Sequence, residues 1–498
     1  MASDGVDYIN AFCQRHVEGA LTCEVDAVKG RILRAQRPFE PGDRILCAGI
    51  LLLVAEAPEH PAYQRLCRLV EDQNFTHEPL WYWCAVCSLC EADSVDCIEE
   101  FPKATREQHR QLLHLYHQDA TAPSQEASAL VAEFWPGRRK KQDLALRLEQ
   151  LLSIWLLNCF EHSREPHGFS TFFLPSFLSH SCRPNSMWHY DGDNFVLRAR
   201  QDIPAGTEVT VSYLSEETLL ESTARRRSRL MASKHFLCCC STCMDRIDKV
   251  RGFCCPSCRH GEVRLNACTD SPVPSKEGAC ARCGFLPTRR QSEQLAAQET
   301  EVEKRIMDWE ERATRAEPEE YLTDAFARQV EKNMNGLFSS HNWLRDKAAR
   351  QLASYYDATD RPDLALHFAA QSMSFIVQIY PGYSAMHAWS LELQGDLKLR
   401  VGKFKKVGQD SVEAGSGKSS TELSNIWREV GPIYAQASEI LRVLFGEDHE
   451  FHTAMRSKYE SLAKVTMKRK SRASRRGSAP TPPGDGGASE PLRGEVDF

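Results

Sequence analysis

The sequence predicts an α+β chain: a β-rich core of small sheets broken by a helical insert, then a cysteine-rich zinc-binding region and an all-α lobe. Three observations lead there. Short alternating apolar runs bounded by turn residues occupy 20–55 and return at 186–213. Cysteines crowd into 236–285. Beyond them, apolar residues recur at helical spacing to about residue 465.

At 498 residues the chain is too long for one core and should hold two or three domains. Apolar residues make up 42% and charged residues 26%, as in ordinary globular proteins. A net charge of −6 argues against a general nucleic-acid binder. No uninterrupted apolar run is long enough to cross a bilayer. The opening Met1-Ala-Ser-Asp-Gly-Val-Asp7 lacks the basic head and apolar stretch of a secretory signal. The chain is therefore expected inside the cell, in the cytoplasm, the nucleus or both. Disulfides do not persist there, so clusters among the 20 cysteines point to metal. Isolated ones (Cys13, Cys23, Cys47, Cys67, Cys159) read as small buried apolar residues.

Taken in order, residues 1–56 hold strands: Val25–Ala35 alternates, Pro38-Phe-Glu-Pro-Gly-Asp43 makes a turn, and Arg44–Val54 is an apolar strand run. Residues 57–143 form the insert, with helical pieces, a Cys84/Cys87/Cys90/Cys97 cluster and a polar stretch containing His109, His114 and His117. Residues 144–235 begin with a helix from Leu144 to Phe160, whose Leu148, Leu151, Leu152 and Trp155 share a face. Strands follow at Ser186–Tyr190, Phe195–Ala199 and Glu208–Tyr213, with turns between them. Residues 236–290 are the cysteine-rich region. Within it, Cys255-Pro-Ser-Cys258 and Cys280-Ala-Arg-Cys283 have the paired knuckle spacing of a small zinc ribbon, leaving Cys254 and Cys268 spare.

Residues 291–465 read as helical hairpins of the tetratricopeptide (TPR-like) kind. Arg345–Tyr356 and Pro362–Tyr380 form an antiparallel pair joined at Thr359-Asp-Arg-Pro362, with further helices at 384–401, 424–445 and 448–465. Ala414–Ser420 is a loop. Residues 466–498 are a basic and then Pro/Gly/Ser-rich tail, expected to be disordered, in which Met467–Arg476 is a nuclear address, a phosphorylatable anchor or simply solvated charge.

The motif train resembles the SET-domain lysine methyltransferases, in particular the SMYD-like branch whose SET domain is split by an insert. Lys29-Gly30-Arg31 resembles the first cofactor-binding strand, and Asn158-Cys-Phe160 the family's Asn-x-Phe. Ser179-His180-Ser-Cys182-x-Pro-Asn185 resembles its Asn-His-Ser-Cys-x-Pro-Asn signature. Gly206-x-Glu208 leads to Tyr213, and Phe236-x-Cys238-x-Cys240-x-x-Cys243 resembles the post-SET closure.

The resemblance implies methyl transfer from S-adenosylmethionine to a protein lysine, with Tyr213 directing the amine. Cofactor would meet Lys29 or Arg31 through its carboxylate, Gly30 through close backbone approach and Asn158 through its ammonium, while its adenine would meet the His180 backbone and the face of Phe236. Ser179 occupies the signature's usual asparagine position, and Ile32 that of the second glycine of Gly-x-Gly. Cys182, Cys238, Cys240 and Cys243 would hold one zinc that fastens two distant segments, with Cys239 facing away.

The insert's cysteines sit where the family carries its MYND finger. They fall short of a complete module and read as a decayed remnant, a one-zinc site or buried cysteines. The helical lobe would wall the substrate cleft and serve partner docking or dimerisation. The competing class is a SET-derived scaffold with weakened turnover, motivated by Ser179 and Ile32, that recruits partners through zinc knuckles and helical repeats. A DNA-reading zinc protein is disfavoured because no complete finger is visible.

Overall fold

The computed structural model describes residues 2–89, 104–162, 165–266, 276–315, 324–410 and 419–476. A helix not anticipated from the sequence, α1 (Ala2–His16), opens the chain and buries Ile9 and Cys13. Its Asn10 carboxamide docks the first strand, accepting from the Cys23 amide at 2.7 Å. That strand, β1 (Leu21–Asp26), pairs antiparallel with β2 (Gly30–Ala35). The Asp26 carboxylate closes the turn by accepting from the Val28 and Lys29 amides, and Gly30 takes a φ of +75° that a side chain would resist.

β3 (Arg44–Ala48) and β4 (Leu52–Ala55) lead into the insert: α2 (Pro61–Asp72), α3 (Pro79–Cys87), α4 (Arg106–Leu112), α5 (Gln125–Phe134) and α6 (Lys141–Asn158). Trp83, Trp135 and Trp155 are fully buried where these helices meet the core. β5 (Phe160–His162) and β6 (Gly168–Thr171) complete a sheet of order β4-β6-β5. After a 3₁₀ turn at Leu174–Phe177 come β7 (Ser179–His180), β8 (Ser186–Asp191), β9 (Asn194–Ala199) and β10 (Thr210–Val211). They build the sheet β3-β9-β8 and a parallel β7–β10 pair in which Val211 opposes His180. The strand expected over Glu208–Tyr213 thus pairs only at Thr210 and Val211. An isolated bridge from Glu208 to Arg34 and the Asn185 side chain hold the rest.

α7 (Glu216–Leu219), α8 (Thr223–Lys234) and α9 (Ser241–Met244) carry the chain to β11 (Ile247–Cys254) and β12 (Glu262–Asn266). The lobe follows: α10 (Arg289–Arg315), α11 (Asp324–Leu337), β13 (Phe338–Asn342), α12 (Trp343–Ala358), α13 (Pro362–Ile379), α14 (Ala385–Asp410), α15 (Ser419–Phe445) and α16 (Glu450–Arg476). Each helix from α12 to α16 packs on the next, as stacked hairpins do. The α12–α13 turn sits where the sequence placed it, with Asp360 at a φ of +56°.

Three expectations are corrected. The lobe is not all helix, since β13 joins β11 and its Phe338 buries against Phe253. Met467–Arg476, expected to be disordered, continues the backbone of α16, because helical propagation adds one hydrogen bond per residue once a helix is nucleated. Cys47 is exposed on β3 rather than buried. Residues 477–498 and most of the Ala414–Ser420 loop lie outside the described residues.

A buried clamp seats the lobe on the core. Arg200 pairs with Glu216 at 2.9 Å and donates to the Tyr380 hydroxyl at 2.8 Å and to the Tyr383 carbonyl. Glu216 also accepts from the Met386 amide in the first turn of α14.

Candidate active site and zinc centres

β7 sets the site. The strand ends at His180, and the bend that follows brings Cys182 back under it, with its sulfur 3.3 Å from the His180 Nε2. Cys182 meets Cys238, Cys240 and Cys243, and the four sulfurs lie within 4.8 Å of one another. A tetrahedron with Zn–S bonds of about 2.3 Å has edges of about 3.8 Å. The separations from Cys182 to Cys243 and to Cys238 are 3.4 and 4.0 Å, which bracket that edge. Cys239 is exposed, as expected.

The surroundings also fit a metal thiolate. Arg226 of α8 is 1% exposed, and its guanidinium lies 3.8 Å from the Cys243 sulfur. Burial alone would lower its pKa, but the Cys182 sulfur and the Asp248 carboxylate more than restore the charge. A buried cation needs a nearby anion; four thiolates around a divalent zinc carry a net double negative charge and supply one. Arg227 donates to the Cys238 and Cys243 carbonyls at 3.1 and 3.0 Å, so α8 grips the cysteine run by its backbone. That helix ends at His235 in the left-handed conformation, which turns the chain into the run. Nothing in the spacing of the sequence sets Arg226 apart from the arginines around it.

The second set, Cys255, Cys258, Cys280 and Cys283, converges as the knuckle spacing predicts, with sulfur pairs at 3.7 and 3.8 Å. Gly261 leaves the space these sulfurs need, since a Cβ there would sit 2.4 Å from the Cys280 sulfur. Among the described residues no third cluster forms. Cys84 and Cys87 are buried in α3, where burial pushes their thiols well up and keeps them protonated. Cys90, Cys97 and Cys268 lie outside the described residues.

Tyr213, His180 and Phe236 are mutual neighbours, with ring centroids 5.4 to 6.2 Å apart. Although Tyr213 is 42% exposed, its hydroxyl turns inward and donates to the Leu178 carbonyl at 2.5 Å. Burial, with the Glu208 carboxylate second, raises its pKa well above the phenol range, so the group stays a neutral donor. His180 accepts from the Tyr213 amide at Nδ1 (3.0 Å), and its Nε2 faces the Cys182 sulfur at 3.3 Å. Burial pulls its pKa down to about 4, which keeps the ring neutral. Asn185, also unselected as a site residue, accepts from the Thr210 amide and donates to the Glu208 carbonyl, cross-linking the signature loop to β10.

The other expected cofactor residues divide into two groups. Lys29 pairs with Glu208 at 2.6 Å, and a Cβ on the adjacent Gly30 would meet open space. Ser179 lies on β7 opposite Thr210. Arg31 and Asn158 both reach one stretch of the insert: Arg31 donates to the His114 carbonyl at 2.5 Å and Asn158 to the Tyr116 carbonyl at 2.7 Å. Ile32 is 1% exposed, so it is absorbed into packing.

Comparison with known proteins agrees with this geometry. Residues 30–214 match the SET domain model. The SET domain-containing protein SmydA-8, isoform B, of Drosophila melanogaster is 34% identical over 112 residues, covering 21% of this chain and 24% of that protein. The histone-lysine N-methyltransferase ASHR1 of Arabidopsis thaliana is 23% identical over 260 residues, covering 50% of this chain and 51% of that protein. The human histone-lysine N-methyltransferase SMYD3 is 37% identical over 71 residues, covering 14% and 16%. These matches span from 16% to 51% of the relatives' own lengths. Residues 30–214 are therefore a SET domain. The helices α2 to α6 interrupt the strands of the matched region, and two of the relatives that it resembles carry SMYD names. No described helix is long and apolar enough to cross a membrane.

Proposed function

We propose that the chain is a protein-lysine N-methyltransferase that uses S-adenosylmethionine and acts on a histone or non-histone protein in the cytoplasm, the nucleus or both. The observation that carries this reading is the inward phenol of Tyr213, set between His180 and Phe236 and tied through the signature loop to a converging four-sulfur site. When bound, S-adenosylmethionine would supply a methyl group whose carbon takes a bond from a neutral lysine amine as its bond to the sulfonium sulfur breaks, the neutral thioether leaving and the methylated amine giving its proton to water. The protein's part is alignment.

Tyr213, kept neutral, presents a hydroxyl that orients the amine lone pair. The Leu178 carbonyl beside it offers weak C–H···O contacts to the methyl. Phe236 supplies a face for adenine. Lys29 would trade its Glu208 partner for the cofactor carboxylate, and Gly30 leaves room for that approach. Asn158 and Arg31, braced on the insert, shape the far wall, while Ser179 lines β7. A zinc ion at Cys182, Cys238, Cys240 and Cys243 would hold the post-SET segment closed over the site, and one at Cys255, Cys258, Cys280 and Cys283 would stiffen the ribbon. The lobe, seated by Arg200, would wall the substrate cleft and provide a docking or dimerisation face.

Lys29 already engaged with Glu208 gives the scaffold reading its one specific support, because cofactor must displace that pair. One experiment separates the two: zinc-loaded full-length protein is incubated with tritiated S-adenosylmethionine, first alone and then with cell extract. Saturable binding followed by label on a protein lysine is expected of the enzyme. No detectable binding would leave the scaffold.

A further inference from the structure

We propose that His180 acts through its side chain as a positioning residue, a two-point strut that fixes the Tyr213 main chain to the Cys182 thiolate and so makes the phenol's position depend on zinc. The inference deepens the methyltransferase reading and rests on the role given there to Tyr213.

Its basis is the use of both ring nitrogens. His180 is 5% exposed on β7, and its own backbone is fixed by the parallel pairing with β10. Nδ1 accepts the Tyr213 amide hydrogen at 3.0 Å, which assigns the ring hydrogen to Nε2. That hydrogen faces the Cys182 sulfur at 3.3 Å. An imidazole is a rigid plate, so its two nitrogens cannot move independently. A shift of Cys182 turns the ring and carries the Tyr213 amide with it. From Tyr213 the path is short, because its hydroxyl is already anchored on the Leu178 carbonyl two residues before His180. The strut therefore closes a loop from sulfur through imidazole, Tyr213 main chain, phenol and Leu178 back to β7. A side chain that merely filled the core would need neither polar contact.

A built-in control lies three residues upstream. The Thr210 amide donates to the Asn185 Oδ1 at 2.8 Å, a bond on the same segment that bypasses His180. In full-length zinc-loaded protein, hydrogen exchange resolved to single amides should show that a zinc chelator speeds exchange at Tyr213 about tenfold more than at Thr210. Equal loss of protection at both amides would overturn the strut, since the metal would then support the whole segment alike.

Two variants each keep half of the device. His180→Asn retains an acceptor near Nδ1 but cannot reach Cys182, whereas His180→Gln retains a donor near Nε2 but offers Tyr213 no fixed acceptor. With metal content unchanged, each should lower kcat by about tenfold to a hundredfold and leave KM for S-adenosylmethionine within about threefold. In each, exchange at Tyr213 should no longer respond to chelator. Wild-type kcat together with a wild-type chelator response in either variant would reject the proposal. A protein that methylates nothing would defeat the enzymatic reading but leave the exchange comparison to decide the strut.

Discussion

The sulfurs of Cys182, Cys238, Cys240 and Cys243 are all buried and join segments far apart in the chain, whereas the Cys255 site is local, with Cys258 half-buried and Cys283 exposed. The donor sets are identical, so their consequences differ through surroundings alone. At the first site Arg226 supplies a buried counter-charge and His180 passes the sulfur's position to Tyr213. At the second, a cation is less needed because water can solvate the charge. Its neighbours are two knuckle turns, closed by the Cys255 amide on the Gly261 carbonyl and the Gly284 amide on the Cys280 carbonyl, both at 2.8 Å. A thiolate cluster becomes part of a reaction site when burial forces its charge and geometry onto neighbouring groups.

The sharpest way to break that contrast is to remove one sulfur from each site. Cys182→Ser should abolish methyl transfer and reduce zinc from two ions to one per chain, because a structural zinc contributes about 10–16 kcal/mol of apparent binding energy. Cys283→Ser should also cost one zinc but leave transfer within about threefold. Equal losses of activity would erase the distinction. Tyr213→Phe comes next, with methyl transfer about a hundredfold slower, both zinc ions retained and thermal unfolding unchanged. Unaltered turnover would remove the hydroxyl from the mechanism.

The contrast also explains what was legible in the sequence. Metal fixes ligand spacing, so Cys238-x-Cys240-x-x-Cys243 and the paired knuckles could be recognised before any fold was known. The helical hairpin at Arg345–Tyr380 could be read because its periodicity and its Asp-Arg-Pro turn are local. Arg226 could not, since one arginine among Arg225, Arg226, Arg227 and Arg229 looks like solvated charge until packing buries it. β13 was hidden for a similar reason: Phe338–Asn342 is extended only because β11, distant in sequence, offers an edge. Arg31 and Asn158 both donate to carbonyls of one irregular stretch of the insert, at His114 and Tyr116, that no spacing rule connects to them.

Removing the counter-charge tests the same idea with a smaller effect. Arg226→Leu leaves the first site's negative charge buried without compensation, and stability should fall by about 3–5 kcal/mol in urea unfolding. Zinc at the Cys255 site should be released at an unchanged chelator concentration. A metal-free joint provides the next reference point. His189 of β8 packs against Phe445 and His449 of the lobe, with Arg198 also near, and burial followed by those two charges pulls its pKa from 6.5 to about 4. The unfolded chain then takes up a proton between those values that the folded chain refuses. The contribution is complete above about pH 6.5 and lost as pH falls toward 4, amounting to about 3 kcal/mol. His189→Gln should flatten the dependence of unfolding on pH across that window at constant zinc content. An unchanged slope would place the acid sensitivity in the thiolate sites.

The smallest expected effect on activity isolates the second site without touching a ligand. A Cβ at Gly261 would lie 2.4 Å from the Cys280 sulfur and 3.1 Å from the Arg282 Cβ, so Gly261→Ala must displace a metal ligand. The variant should bind one zinc tightly and a second only weakly by metal titration, with methyl transfer within about threefold of wild type. Because β11, which leads into Cys255, is also paired with β13 of the lobe, a larger loss of activity would have a structural route through that sheet. Such a loss would make the ribbon a spacer that sets the lobe against the SET core, and the two sulfur sites would then differ in distance from the chemistry rather than in kind.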